Sequence, residues 1–442
     1  MLLPATAFRV RGGDIVVDSR NSRLKFLVCF VFGGRAVRNL VMLSVLVLVS
    51  TITACVGVDG YDGRSKSAIA VFGDMPYDLT PTATDQFNLH PRFINSINLD
   101  PDVSLVLHVG DIHSGRQYCT EAYNRAIYTH WTTFRSPLVY IPGDNEWADC
   151  HKVAQGGGTY NETTKTINYV VDASGKQVSH AGGNPVANLD LVRSIFFAYP
   201  GKTLGGSMNV HTQAREFDPA YPSDRNYVEH MWWKKSGVLF VTLNIPGSSN
   251  NDTDPWYGVP AMSPEQVQEV NQRTGAVLRW IDMAFKQARL DGAMAVLIQL
   301  QADMWDLDSN VASHLAQYKQ FIDKIASNTK AFGKPVLLIS GDSHVFRVDN
   351  PLMQGAPCVI EPKPGAEAIV CAGHIMPAKN PADPYLTQPH GYDVPNFRRL
   401  VVHGSLVPLE WLKLTIDPGG NASSAHAFGP FSWQRMRPVL QP

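Results

Sequence analysis

The chain has 442 residues, of which 44% are hydrophobic and 17% are charged, and its formal net charge at pH 7 is -1. This balance excludes an intrinsically disordered chain and a polybasic nucleic-acid-binding protein, so we expect no specific nucleic-acid partner. The 30 Pro and 35 Gly residues are spread along the chain without repeats. This spread excludes collagen, coiled-coil and solenoid architectures and favours long loops on a globular scaffold.

The N-terminal part contains one long apolar segment. Residues 40–54 form an uncharged run of 15 residues that follows Arg35 and Arg38. A run of this length is short for a membrane span and typical of a signal-peptide core. It ends in Ile-Thr-Ala-Cys at Cys55, which resembles a bacterial lipobox, and that resemblance implies a lipid anchor in the membrane. The alternative is an ordinary cleavable signal with an incidental cysteine. Both interpretations predict export, to the cell envelope or to the outside.

Export would place the remaining cysteines in an oxidising compartment, where they can form disulfides. We predict the pairs Cys119–Cys150 and Cys358–Cys371, although spacing alone allows three connectivities. The sequence contains no CxxC pair that would indicate a thiolate zinc site or a redox motif.

Short apolar runs in the rest of the chain predict buried strands. In chain order they are residues 68–72, 104–109, 137–141, 237–243, 293–300, 335–340, 400–402 and 411–416. A helix is predicted to begin with Ser263 as its N-cap and Pro264 in its first turn, and to stop at Gly292. A second helix carries apolar residues from Val311 to Ile325. Strands that alternate with helices predict an α/β fold, a layered sandwich of mixed β-sheets flanked by helices.

The predicted domain organisation follows from these elements. An export segment at residues 1–55 and a linker at 56–66 precede one domain at 67–420, and a tail at 421–442 follows it. Within the domain, residues 151–230 are rich in Gly, Asn, Tyr and His and lie between the third and fourth strands. We expect this insertion to cover the carboxyl edge of the sheet as a lid or substrate wall, or to be a surface decoration.

Four predicted strands end in the same Gly-Asp step. These steps place Asp74, Asp111, Asp144 and Asp342 directly after an apolar run and a glycine. We expect the glycine to let the chain turn sharply, so that each Asp projects over the carboxyl edge of the sheet. Carboxylates gathered at one edge repel one another unless cations neutralise them. The pattern predicts a dinuclear metal site, whereas one such step alone would be ordinary turn chemistry.

This motif series resembles that of the calcineurin-like metallophosphoesterases, which include the purple acid phosphatases, over residues 68–347. The family series is Asp, GD, GNH(D/E), a His after an apolar strand, and GHxH. The resemblance implies that Asp74 binds the first metal, that Asp111 bridges two metals and that His344 completes the first site. It also implies hydrolysis of a small-molecule phosphoester by a water that the two metals activate.

The chain departs from the family series at several positions. Asp144 stands at the Asn ligand, and Asn145 stands at the His that assists the leaving group. Gln301 is the residue in register with the His after the apolar strand, and Asp342 replaces the first His of GHxH. Ser114 occupies the position of the iron-binding tyrosine, so no iron-tyrosinate chromophore is expected. Such an oxygen-rich set favours two manganese ions, with zinc, iron, magnesium and calcium as alternatives.

Several roles stay open at this point. Asn145 occupies a catalytic position but cannot protonate a leaving group, so His113, two residues after Asp111, is the predicted general acid. Asp303 and Trp305 either line the pocket or belong to the core. Two rival functions remain: a catalytically silent envelope lipoprotein that binds a metal or an anion, and a structural lipoprotein braced by calcium. The sequence leaves open whether the substrate is a monoester, a diester, a nucleotide or a phospholipid head group.

Overall fold

The computed structural model describes residues 9–10, 13–14, 65–80, 83–251, 254–305, 312–353, 356, 358–361, 369–371, 392–404 and 409–440. The chain divides into two units, Met1–Asp62 and Gly63–Pro442. In the first unit, β1 (Arg9–Val10) pairs with β2 (Gly13–Asp14) in antiparallel fashion. The predicted signal core and Cys55 lie outside the described residues. None of the helices in the described ranges combines the length and hydropathy that crossing a bilayer requires.

The second unit contains the strands and helices that build the α/β body. Its strands are β3 (Ser67–Phe72), β4 (Val103–His108), β5 (Pro137–Tyr140), β6 (Gly158–Asn161), β7 (Thr166–Tyr169), β8 (Leu204–Gly205), β9 (His211–Thr212), β10 (Met231–Lys235), β11 (Val238–Thr242), β12 (Ala295–Gln299), β13 (Val336–Ser340), β14 (Phe346–Asp349), β15 (Cys358–Glu361), β16 (Ile369–Cys371), β17 (Phe397–Val401), β18 (Trp411–Ile416), β19 (Ala422–Ser424), β20 (Ala427–Gly429) and β21 (Phe431–Met436). Its helices are α1 (Asp85–Asn98), α2 (Glu121–Trp131), α3 (Pro185–Phe196), the short α4 (Gly247–Asn250), α5 (Pro264–Leu290) and α6 (Ala312–Phe332). Short 3-10 helices lie at Ala148–His151, Val153–Gln155, His180–Gly183, Pro222–Asn226 and Trp256–Gly258.

The first large sheet has the strand order β16-β15-β14-β17-β13-β12-β11-β10-β9. Strands β11, β12, β13 and β17 run parallel, and the outer strands pair in antiparallel fashion. On β11, Leu239 and Val241 pack against helices α5 and α6, whereas Val238 and Phe240 face the second sheet. This alternation covers the sheet on both faces, which explains why its parallel strands read as continuous apolar runs.

The second large sheet has the order β19-β20-β21-β18-β3-β4-β5-β8. Strands β3, β4 and β5 run parallel, and β18 pairs with β3 in antiparallel fashion. The core between the two sheets also takes in side chains of α1, α2 and α3, such as Phe93, Trp131 and Val192. Burying one large apolar side chain of this kind contributes roughly 1.5–3 kcal/mol. The layers therefore form the predicted α/β sandwich of two mixed sheets flanked by helices.

The predicted tail after residue 420 is part of the second sheet. Strand β21 pairs with β18 from Trp411 opposite Met436 to Ile416 opposite Phe431, and β19 and β20 continue the sheet. Phe431 and Trp433 are both buried, two residues apart on one face of the strand. The predicted boundary at residue 420 thus cuts through a sheet. The two-residue period of this short segment was the signal for the additional strand.

The insertion at residues 151–230 contains secondary structure that joins the body. Strands β6 and β7 form a separate hairpin, whereas β8 pairs with β5 and β9 pairs with β10 at the edges of the two sheets. Asn184 accepts a hydrogen bond from the N–H of Ala187 at the start of α3, which buries Val192 and Ile195 in the core. The segment is therefore more than a surface decoration.

The predicted disulfide between Cys119 and Cys150 is confirmed, with the two Cα atoms 5.8 Å apart. It joins the loop before α2 to the 3-10 helix after β5. Cys358 lies opposite Cys371 in the β15–β16 pair. Cys358 is disulfide-bonded, and its register suits the predicted pair with Cys371, which stays a prediction.

Candidate metal centre

The loops that follow four strands, three from one sheet and one from the other, bring the predicted carboxylates together. Asp74, Asp111 and Asp144 follow β3, β4 and β5 of the second sheet, and Asp342 follows β13 of the first sheet. The side chains of the first three are buried and that of Asp342 is half-buried. The four residues thus meet where the carboxyl ends of two facing sheets converge. The prediction of a single sheet edge was wrong, because the apolar runs do not reveal to which sheet each strand belongs.

The backbone at this cluster is in an uncommon conformation. Asp74, Asp111, Asp342 and His344 have positive φ angles of 50°, 60°, 72° and 58°. Non-glycine residues rarely adopt the left-handed region, and such strain of about 1–3 kcal/mol per residue concentrates at functional sites. In the Gly-Asp steps that contain Asp74, Asp111 and Asp342, it is therefore the Asp that makes the sharp turn.

The glycines of these steps serve mainly to leave space. Gly341 and Gly143 do not have a positive φ, but a Cβ on Gly341 would lie 2.1 Å from Oδ2 of Asp74. A Cβ on Gly143 would lie 2.0 Å from Oδ1 of Asp111. The predicted reason for these two glycines, backbone freedom at the turn, was wrong: close approach of a carboxylate requires them.

Asp111 is the centre of a hydrogen-bond network. Its Oδ2 accepts hydrogen bonds from Tyr77 Oη at 2.6 Å, Asn145 Nδ2 at 2.9 Å and Gln301 Nε2 at 3.3 Å. Its Oδ1 accepts from the N–H of Asn145 at 3.1 Å. Tyr77 was missed from the sequence, although it stands three residues after Asp74. From the sequence, a tyrosine at this spacing was expected only after Asp111, where the chain has Ser114.

Gln301 links the two halves of the cluster. Its Nε2 also donates to Asp144 Oδ1 at 3.1 Å, and its Oε1 accepts from the N–H of Gly247 at 2.5 Å. Gly247 lies directly beside the carboxylates, because a Cβ there would be 2.7 Å from Asp342 Oδ1 and 2.8 Å from Asp144 Oδ2. Gln301, which the sequence predicted from its register, thus lies in the cluster, and its role as a metal ligand stays a prediction.

Asp74 and His344 lie on the Asp342 side of the cluster. Oδ1 of Asp74 accepts a hydrogen bond from the N–H of Asp342 at 2.9 Å and lies 3.4 Å from Nε2 of His344. The ring of His344 meets the ring of Tyr77 edge-on at 5.2 Å. Gly404, which the sequence did not single out, approaches Asp74 so closely that a Cβ would lie 2.1 Å from the Cβ of Asp74.

The cluster is electrostatically crowded. Burial, reinforced by repulsion from Asp144, raises the pKa of Asp111 well above its ordinary value, and burial with Asp144 and Asp74 does the same for Asp342. Burial raises the pKa of Asp144 to about 6 and that of the adjacent Glu146 to about 7. Burial and mutual repulsion therefore disfavour the charged form of these carboxyl groups unless cations compensate it.

His113 lies in a different environment from the one predicted. Its side chain is buried, its Nδ1 is hydrogen-bonded to the carbonyl of Ser114 at 3.1 Å, and its ring meets Tyr123 edge-on. Burial lowers its pKa to about 4. An imidazole with this pKa carries no extra proton at neutral pH, so the environment gives no support to its predicted role as general acid. Asn145, in contrast, is inside the cluster.

Asp303 and Trp305 are supporting residues rather than pocket lining. Asp303 forms an ion pair with Arg399 and accepts a hydrogen bond from Ser343 Oγ at 2.8 Å. Trp305 is buried against Phe397 and the guanidinium of Arg399. Of the two interpretations left open for this segment, the structure thus favours the core.

A cation and a hydroxyl approach the cluster from one side. Lys152 Nζ donates hydrogen bonds to Asp149 Oδ2 at 2.6 Å and to Ser248 Oγ at 3.3 Å. Ser248 Oγ in turn donates to Asp144 Oδ2 at 2.8 Å. Ser248 was missed.

The donor atoms of the cluster suit a hard divalent cation. Asp74 Oδ2 and Glu146 Oε2 are buried, and neither has a hydrogen-bond partner among the described residues. A buried carboxylate oxygen without a partner is costly. Within the described ranges, however, no three His, Cys, Asp or Glu side chains form a group that could hold a metal ion as they stand. The amides of Gln301 and Asn145 and the phenol of Tyr77 lie between the carboxylates.

No protein-family model matches the chain, and no curated protein sequence matches it. One similar solved structure is that of purple acid phosphatase PPD1 from yellow lupin (Lupinus luteus) seeds. The TM-score is 0.36 at 11% sequence identity, over 85% of this chain and 52% of that chain. The chain therefore spans about half the length of that protein. The mixed α/β architecture of two large sheets flanked by helices is established by the strand order itself.

Proposed function

We propose that the chain is a metal-dependent hydrolase of small-molecule phosphoesters. The observation that carries the proposal is the convergence of Asp74, Asp111, Asp144 and Asp342 with an unpartnered buried oxygen on Asp74. The raised pKa values of Asp111, Asp144 and Asp342 support it, because burial and mutual repulsion disfavour their negative charges and a bound cation would offset this penalty. Export and a lipid anchor at Cys55 remain part of the proposal.

The ligands of two divalent cations would be the four carboxylates with Gln301 and His344. Carboxylate and amide oxygens favour manganese, and zinc, iron, magnesium and calcium are the alternatives. When bound, such a pair of cations lowers the pKa of a water and neutralises the phosphoryl oxygens.

The chain's own residues supply position and polarity. Asn145 Nδ2 donates to both Asp111 and Tyr77 Oη, which fixes its amide beside the bridging carboxylate. The backbone carbonyl oxygen of Asn145 accepts a hydrogen bond from Gln155 Nε2 at 3.0 Å. Both sulfurs of the Cys119–Cys150 disulfide lie within 3.5 Å of the same backbone oxygen. We propose that Asn145 positions the carboxylate of Asp111 and does not transfer a proton.

The test is hydrolysis of nitrophenyl mono- and diesters by purified protein reconstituted separately with manganese, zinc, magnesium, calcium or iron. Asp111→Asn should lower kcat/KM by about 10²- to 10³-fold, because it removes the bridging charge. The matched control is Asp190→Asn, whose carboxylate is 68% exposed on α3 and whose loss should leave turnover unchanged. Absence of turnover with every metal, in protein shown to be folded, would contradict the proposal.

One observation favours a second candidate, a silent binding protein of the same fold. Asp111 Oδ2 already accepts three hydrogen bonds from side chains of the chain. A carboxylate satisfied in this way does not need a cation. The silent protein would bind manganese or phosphate by calorimetry without turning over either ester, which separates it from the hydrolase.

A further inference from the structure

Lys152 is held beside the carboxylate cluster without being part of it. Its ion pair with Asp149 is a 2.6 Å contact between residues three apart in one short helical segment, and its side chain is 39% exposed. An ammonium group has three N–H donors, and Asp149 and Ser248 take two of them. The group is thus fixed in position and still open to an anion from solvent.

The segment that carries Ser248 is fixed as well. Ser248, Ser249, Asn250 and Asn251 all have positive φ angles, between 49° and 61°. Successive left-handed residues other than glycine persist only where their surroundings compensate for the strain. Here Arg273 compensates: its Nη2 donates to the carbonyl of Asn250 at 2.9 Å. The turn holds Ser248 Oγ between Asp144 Oδ2 and Lys152 Nζ.

The pair Lys152 and Ser248 therefore forms a polar edge beside Asp144. Gly247, the residue before Ser248, lies so close to the carboxylates of Asp342 and Asp144 that a Cβ would not fit between them. A phosphoryl group held at the carboxylate cluster through cations would present its outer oxygens to the surroundings of Asp144. Lys152 Nζ has a donor for such an oxygen, whereas the one O–H of Ser248 is donated to Asp144 and its oxygen holds Lys152 in place.

We propose that Lys152, held in place by Ser248 and Asp149, binds the outer phosphoryl oxygens of the substrate and makes the site selective for phosphomonoesters over phosphodiesters. This inference rests on the proposed function. A monoester dianion brings one more negative charge than a diester into a region already crowded with carboxylates, so it gains more from a fixed ammonium group. Lys152 is a specificity-determining residue for the charge state of the phosphoryl group.

The experiment compares kcat/KM for nitrophenyl phosphate and bis-nitrophenyl phosphate in the full, metal-loaded protein. Lys152→Met should lower the value for the monoester about 10- to 100-fold, largely through KM, and that for the diester less than about 3-fold. Lys152→Arg should retain most of the selectivity. Lys165→Met is the matched control, since Lys165 also pairs with an acid three residues away, Glu162, on the surface of the same insertion.

A merely structural role of Lys152 is separated by the double variant Asp149→Asn, Lys152→Met, which leaves no unpaired buried carboxylate. The proposal expects the double variant to show the same loss of monoester selectivity as Lys152→Met. Recovery of selectivity in the double variant would overturn it, and so would an equal loss for both esters.

A failure of the proposed function has a different signature. If wild-type protein hydrolyses neither ester with any metal, inorganic phosphate binding by calorimetry in the presence of manganese decides the inference. Phosphate should then bind to wild type and bind about 10- to 100-fold more weakly to Lys152→Met. Unchanged binding in the variant, or no binding to wild type, would overturn the inference in that case.

Discussion

Two clusters of carboxylates lie side by side in this molecule and differ in whether the chain supplies a compensating positive charge. The carboxylate cluster consists of Asp74, Asp111, Asp144 and Asp342. The arginine-paired cluster consists of Asp303, Asp349 and Arg399. They touch where the N–H of Asp303 donates to Asp342 Oδ2 at 3.1 Å.

In the arginine-paired cluster the chain supplies the compensating charge. Arg399 binds Asp349 through Nε at 2.9 Å and Nη2 at 2.6 Å, and its Nη1 contacts Asp303. In the carboxylate cluster the hydrogen-bond donors are amides, the phenol of Tyr77 and the hydroxyl of Ser248. The pKa values of Asp111 and Asp342 are raised, first by burial. The comparison teaches that the charge of a buried carboxylate can be compensated by an arginine of the chain, whereas the carboxylates of the other cluster lack such a partner and are the groups that the proposed cations would neutralise.

The largest expected effect is on stability and concerns the arginine-paired cluster. Arg399→Met should destabilise the fold by about 3–5 kcal/mol, because it removes the arginine that pairs with both buried carboxylates and leaves Asp303 with the more distant Arg347, at 3.7 Å. Urea unfolding measures this change. Arg125→Met is the control, since its exposed pair with Glu121 should change stability by less than about 0.5 kcal/mol. If the two substitutions changed the free energy of unfolding equally, Arg399 would not be the group that compensates the buried charges of Asp303 and Asp349.

The next effect tests the space around Asp74. In Gly341→Ala the new Cβ would lie 2.1 Å from Asp74 Oδ2, so the carboxylate must move and manganese affinity by calorimetry should fall about 10- to 100-fold. Gly333→Ala is the opposite control. Gly333 has a φ of +69° with nothing near its Cβ position, so that substitution should lower stability by about 1–2 kcal/mol and leave metal affinity intact.

A third prediction concerns the pH dependence of metal stabilisation. The pKa values of Asp144 and Glu146, raised to about 6 and about 7, make the metal-free folded state bind more protons than the unfolded chain. Their contribution to stability therefore decreases as the pH rises from about 4 to about 7. A cation displaces these protons, so the stabilisation by manganese relative to chelator should grow by about 1–2 kcal/mol between pH ~5 and ~7.5.

This difference measurement isolates the carboxylates. Buried histidines such as His108 and His230, whose pKa values burial lowers to about 3, act on stability in the opposite direction, but equally with and without metal. Thermal unfolding at each pH, with manganese or with chelator, gives the difference. Glu146→Gln should reduce its growth with pH. A manganese effect that is constant over this range would contradict the assignment of the cluster as a cation site.

The smallest expected effect is that of His113→Asn. Because this imidazole is uncharged and packs against Tyr123, its replacement should change kcat by less than about 3-fold. A general acid would lose about 10²- to 10⁴-fold. A loss of that size in the ester assay, with the fold verified by circular dichroism, would restore the role that the sequence predicted for His113.

The elements that could be predicted are those with a local physical signature. Parallel strands buried on both faces read as apolar runs, and the N-cap Ser263 accepts a hydrogen bond from the N–H of Gln266, as its position before Pro264 indicated. The Gly-Asp steps located the four carboxylates, and counting along the strand located Gln301. Each of these signals is contained in a few consecutive residues.

The missed features depend on distant parts of the chain. Nothing near Ser248 or Gly404 shows that a carboxylate lies against them, because that contact requires the two sheets to face each other. Tyr77 had a local signal, because it stands three residues after Asp74, but the sequence prediction expected a tyrosine at that spacing only after Asp111. Strand β21 was not predicted, because its partner β18 was predicted as the last strand and the residues after 420 as a tail.

The pairing of β3 with β18 also has a consequence for the order in which the protein is made. Strand β3, which leads into Asp74, has β4 as one neighbour soon after synthesis, but its other neighbour comes from residues 411–416. At a translation rate of about 5–20 residues per second, that edge waits roughly 20–70 s for its partner. During this time β3 presents an open apolar edge, the kind of surface on which chaperones act and aggregation begins. The first carboxylate of the cluster therefore reaches its final surroundings only when nearly the whole chain has been synthesised.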